Sequence, residues 1–63
     1  MTSQEVFNTF NSVIESAEAT PFLRHIAKAA LIAKPDDKAL IMRTWPQVVQ
    51  SYGPGGCFYK EAA

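Results

Sequence analysis

Cysteine, histidine and tryptophan each occur only once in this sequence of 63 residues. A single cysteine excludes an internal disulfide. One cysteine and one histidine cannot supply the four ligands of a structural zinc site without several carboxylates, so we expect no metal site. A chain this short buries only about 60% of the surface that its unfolded form exposes, which makes a lone core marginal. We therefore expect stability to come from helix packing and self-association.

Long hydrophobic runs and a net charge are also missing. The longest unbroken apolar stretch is Ala29 to Ala33, far short of the ~20 residues that a transmembrane helix needs. The N-terminus lacks the basic region and apolar run of a signal peptide. Six basic and six acidic residues cancel, so no overall field attracts the chain to nucleic acid or membrane. These absences predict a cytoplasmic protein with no membrane partner.

Catalytic motifs are the third absence. The glycine-rich stretch at residues 53–56 lacks the GxxxxGK[ST] pattern of a phosphate-binding loop. Cys57 and His25 could form a nucleophile and its base, but no third group is present to orient them. The sequence thus predicts no enzyme, no catalytic residue and no cofactor.

Apolar residues recur instead at helical spacing, which predicts a single all-α domain of three helices. Helix 1 is predicted over about residues 3–19, with Thr2 or Ser3 as N-cap and Glu5 completing a capping box. Helix 2 is predicted over about residues 21–33, with Thr20 as its N-cap and a proline at the first helical position.

The third helix is predicted over about residues 37–52 and contains a proline at position 46. Two interpretations stay open. Pro46 can kink a continuous helix, which we favour because the apolar stripe keeps its phase across it. Alternatively the helix splits there, since Thr44 and Gln47 have the spacing of a capping box for a new helix. Gly53 should close this segment, and a short tail over residues 53–63 follows.

Helix 2 is apolar nearly all round, which is unusual in so short a chain. Such a helix needs neighbours on more than one side, and its small alanines would let another backbone approach closely. We expect a non-enzymatic protein–protein interaction module whose partner is a second copy of itself, a host protein, or both. Two aromatic residues in the short tail add to this surface. The predicted partner interface consists of Leu31, Ile32, Trp45, Phe58 and Tyr59.

In size and composition the chain is similar to the small helical proteins of bacteriophages and mobile elements, although no specific motif carries the likeness. That resemblance implies binding to a host protein or regulation of the phage cycle.

A small DNA-binding regulator is the alternative function. Helix 2, a short turn and helix 3 follow the helix-turn-helix plan. Against it, Asp36 and Asp37, either of which can cap helix 3, lie where phosphates would have to bind. The residues that would contact nucleic acid in this alternative are Arg24, Lys28, Lys34, Lys38 and Arg43.

Overall fold

A computed structural model describes residues 1–61 of the chain. Over that range it contains helices and no strand, so the predicted all-α class is confirmed. The number of helices within residues 1–61 is four, one more than predicted. They are α1 (Ser3–Glu15), α2 (Pro21–Leu31), α3 (Pro35–Thr44) and α4 (Pro46–Tyr52). Ala62 and Ala63, the end of the predicted tail, lie outside the described residues.

The beginnings of α1 and α2 depend on the side chains that the sequence indicated. Thr2 Oγ1 accepts a hydrogen bond from the Glu5 backbone N–H at 3.1 Å, and Glu5 Oε1 accepts one from the Thr2 backbone N–H at 2.8 Å. This is a complete capping box. Thr20 Oγ1 accepts from the Leu23 backbone N–H at 3.1 Å. Each bond satisfies a backbone donor that the helix itself cannot pair.

α1 ends at Glu15, four residues before its predicted limit. Ser16 has extended backbone angles, and its Oγ accepts a hydrogen bond from the Glu18 backbone N–H at 3.1 Å. A serine side chain bonded to the backbone two residues ahead offers the chain an alternative to the helix. This local turn separates α1 from α2.

The predicted third helix is two helices, α3 and α4, and the favoured kink at Pro46 is wrong. Trp45 lies between them with φ −121° and ψ 78°. The ring of a proline disfavours helical angles at the residue before it. Pro46 is instead the first residue of α4, where its missing N–H costs nothing. The split interpretation is therefore the correct one.

The predicted caps of the two later helices are also wrong. Thr44 Oγ1 donates to the Leu40 carbonyl at 2.7 Å, inside α3, so it does not cap α4. α3 begins at Pro35, with Lys34 in the N-cap position and no side-chain cap. Asp36 and Asp37 lie in its first turn, where their charge complements the positive end of the helix dipole.

The hydrophobic core is small and is built mainly by α1, α2 and α4. α2 packs extensively against α1, and α4 packs against α1 as well, while α3 contacts α2 and α4. α3 contributes no fully buried residue. Two of the alanines expected to admit a partner, Ala27 and Ala30, are buried inside the chain itself. The buried apolar residues are Phe10, Val13, Ala19, Leu23, Ala27, Ala30, Val48 and Tyr52.

Two phenylalanines on α1 test this arrangement of the core. Phe10 is completely buried, whereas Phe7 is 44% exposed. Phe10→Ala should lower the free energy of unfolding by about 3–5 kcal/mol, because it leaves a cavity at the centre of the domain. Phe7→Ala should cost about 1 kcal/mol or less. Urea unfolding followed by circular dichroism measures both changes, and equal losses would contradict the described core.

Candidate functional site

An open groove lined by aromatic side chains is the best candidate for a functional site. It has a volume of about 410 Å³ and lies where the α1–α2 connection, the first turn of α2, α4 and the tail meet. Four aromatic residues line it: Phe22, Trp45, Tyr52 and Phe58. We call this site the aromatic groove. Its volume is in the range of pockets that hold small ligands or single side chains.

The four rings form two contacting pairs. The Phe22 and Trp45 rings meet edge to face, with centroids 5.8 Å apart and an interplanar angle of 66°. The Tyr52 and Phe58 rings are stacked, with centroids 5.4 Å apart and an angle of 28°. Both are favoured arrangements of aromatic rings. The Tyr52 side chain is buried, whereas Phe22 is 61% exposed and Phe58 is 37% exposed.

Backbone hydrogen bonds hold Phe58 in place. Its N–H donates to the Ser51 carbonyl at 2.9 Å, which ties the tail to the last turn of α4. Two residues later, the Lys60 N–H donates to Ser12 Oγ at 2.9 Å. Ser12 is buried on α1, and its hydroxyl donates in turn to the Asn8 carbonyl at 2.7 Å. The tail therefore folds back onto the chain's own core.

A second contact between the tail and α1 involves Tyr59. Asn8 Nδ2 donates to the Tyr59 hydroxyl oxygen at 3.1 Å, and Asn8 is buried. The turn that brings the tail back contains Gly55 at φ +86°, a conformation that favours glycine. Gly53 closes α4, as predicted, and a Cβ there would lie 2.5 Å from the Val49 carbonyl oxygen.

The five residues of the predicted partner interface lie in several parts of the fold. Trp45 and Phe58 lie in the aromatic groove, and Tyr59 is half-buried against Asn8. Leu31 is half-buried against the core, and Ile32 is 90% exposed at the end of α2. Ten residues of helix at 1.5 Å each separate Ile32 from the groove end of α2 by about 15 Å. Ile32 therefore lies away from the aromatic groove, in which Trp45 and Phe58 lie together.

Phe22 and Tyr52 are groove residues that the predicted interface did not include. Both belong to helical apolar stripes, and nothing local distinguishes them from ordinary core positions. Their place in the groove follows from contacts with Trp45 and Phe58, which are 23 and 6 residues away along the chain respectively.

The basic residues predicted to contact nucleic acid lie on α2, on α3 and in the turn between these helices. None of the five lines the groove. Lys28, Lys34 and Arg43 are exposed, and Lys38 is half-buried. Arg24 is also half-buried, and its Nε is enclosed without a hydrogen-bond partner.

The described residues contain few groups suited to metal binding or nucleophilic catalysis. Between residues 1 and 61, no group of three or more His, Cys, Asp or Glu side chains is placed to hold a metal ion. Cys57 is an exposed free thiol, and His25 Nδ1–H donates to the Pro21 carbonyl at 2.7 Å. None of the helices found in residues 1–61 has the length and apolar character to cross a membrane.

Comparison of the chain with protein-family models, curated proteins and solved structures finds no match.

The anchoring of the tail can be tested through Ser12. Ser12→Ala removes the acceptor of the Lys60 N–H, and a hydrogen bond of this kind contributes about 1 kcal/mol. Amide exchange at Lys60, measured by NMR, should become about five- to tenfold faster. Ser16→Ala is the control, because Ser16 bonds within its own turn. Unchanged exchange in Ser12→Ala would contradict the described docking of the tail.

Proposed function

We propose that this protein is a small non-enzymatic protein–protein interaction module that binds its partner through the aromatic groove. The observation that carries the proposal is the convergence of Phe22, Trp45 and Phe58, three large rings with accessible surface, at one site. Aromatic side chains in such clusters commonly provide most of the binding energy of an interface. A host protein is the proposed partner, as expected for a small accessory protein.

The positioning of the rings also favours binding. Trp45 contacts Phe22 on one side and packs against the core on another. Phe58 is stacked on Tyr52 and tied through its backbone to Ser51. Side chains that are already held in place lose little rotational freedom when a partner binds, so more of the contact energy contributes to affinity.

Self-association is proposed for a different surface, which we call the α3 face. α3 has no fully buried residue, and Ala39 on it is exposed. A mostly apolar cleft of about 190 Å³ lies between the start of α1 and α3, with Val6, Ala39 and Met42 among its lining residues. A second copy covering this face would bury apolar surface that a 63-residue chain cannot bury alone.

The DNA-binding regulator is the second candidate. The short turn between α2 and α3 and the exposed Lys28, Lys34 and Arg43 favour it. Asp36 and Asp37 oppose it, because they place two negative charges in the first turn of α3. A recognition helix contacts DNA through that turn, and the phosphates would be repelled there.

An affinity capture compares these candidates directly. Tagged protein is incubated with a lysate of the cells that contain it, with and without nuclease. The wild type and Phe7→Ala should retain one stoichiometric protein through nuclease and moderate salt. Phe22→Ala should lose it, since truncating a central aromatic contact commonly costs more than 1 kcal/mol, about fivefold or more in affinity.

Equal capture by Phe22→Ala would exclude the groove as the contact surface. Capture that disappears with nuclease in all three proteins would favour the DNA-binding regulator.

The mass in solution tests the α3 face. Sedimentation equilibrium at several hundred micromolar should give twice the 6.9 kDa of one chain. Ala39→Lys should shift the mass towards one chain, because it places a charge in the apolar cleft. Gln50→Lys adds the same charge at an exposed position of α4 and should leave the dimer intact. A wild-type mass of one chain would contradict self-association.

A further inference from the structure

The charge of the aromatic groove indicates what kind of group it binds. Glu18 is the one charged side chain that lines the groove in the described part of the chain. The other polar lining residues, including Thr20, Gln47 and Ser51, are neutral. The faces of aromatic rings carry partial negative charge. The groove therefore combines one carboxylate with several electron-rich ring faces.

The surroundings of the groove add no net charge. A neighbouring cleft shares Glu18 and Phe58 with the groove and adds Glu15 and Lys60. The remaining basic residues of the chain lie on α2, on α3 and in the turn between them, and none of them lines either cavity. No cation of the chain itself is thus placed inside the groove.

From this arrangement we infer that the aromatic groove binds the guanidinium group of an arginine side chain on the partner protein. The inference rests on the proposed function and names the chemistry of that function's partner. A guanidinium stacks flat on aromatic rings and forms two parallel hydrogen bonds with a carboxylate. The exposed Phe22 ring and the half-buried Trp45 ring provide the first surface, and Glu18 provides the second.

Arginine fits this site better than the other anchors that a partner could offer. A lysine ammonium is a compact, strongly hydrated charge that does not stack and cannot pair in a fork geometry. An aliphatic anchor would contact the rings but would gain nothing from Glu18. Because both elements of the groove match a guanidinium, charge should contribute measurably to binding, and raised salt should weaken it.

The test uses two probes that differ in charge and hardly in shape. The full ¹⁵N-labelled chain is titrated with N-acetyl-arginine-N-methylamide and with its neutral citrulline analogue, and NMR shifts are followed. The arginine probe should shift the Trp45 indole N–H and the backbone N–H signals of Ser51 and Phe58. Its affinity should exceed that of the citrulline probe about fivefold, the change that a cation–π contact at an exposed site produces.

Charge-matched variants assign this preference to the groove. Glu18→Gln should reduce the difference between the two probes and leave the part that the aromatic rings contribute. Glu61→Gln removes the same charge from a cavity beside the start of α1 and should preserve the difference. Equal affinities of the two probes for the wild type, or shifts confined to residues outside the groove, would overturn the inference. Tighter binding of tetramethylammonium than of the arginine probe would overturn it too.

The arginine inference and the proposed function can fail independently of each other. If arginine shows no preference but Phe22→Ala still abolishes protein capture, the groove binds its partner through another anchor. If arginine binds but Phe22→Ala captures the protein normally, the cation site stands and the proposed contact surface does not.

Discussion

The steric conflict between Pro46 and a helical Trp45 is the constraint on which the rest of the groove depends. It ends α3 at Thr44 and starts α4 at Pro46, so that Trp45 lies between two helices. At that junction its ring meets Phe22 on the first turn of α2. A continuous helix would keep Trp45 in line with the other apolar residues of its stripe. The change of direction is what turns a core residue into one that lines an open site.

The C-terminal tail completes the groove, and buried polar groups on α1 hold it there. Ser12 and Asn8 are buried, and each already has a hydrogen-bond partner within α1: the Ser12 hydroxyl donates to the Asn8 carbonyl, and Asn8 Oδ1 accepts from Gln4 Nε2. Lys60 and Tyr59 bond to the same two side chains from the tail. These bonds hold the tail, and with it Phe58, against α1.

Local signals explain what could be predicted from the sequence. Thr2 with Glu5, and Thr20 before a proline, specify helix starts within four residues, so they were identified correctly. The break at Pro46 is also local, but the unbroken phase of the apolar stripe favoured the wrong alternative. The contacts of Phe22 with Trp45 and of Ser12 with Lys60 join distant parts of the chain, and no sequence pattern encodes them. The candidate site consists mostly of such contacts, which is why only Trp45 and Phe58 were anticipated.

If the protein binds its partner through the aromatic groove, that partner lies directly against the Phe22 ring. Site-specific photo-cross-linking in cells tests it most directly, with p-benzoylphenylalanine placed at position 22 and, as a control, at position 7. If the groove is the contact surface, position 22 should give one cross-linked protein of discrete mass and position 7 should give none. Absence of a protein cross-link at position 22, or the same product from both positions, would exclude the groove as the contact surface.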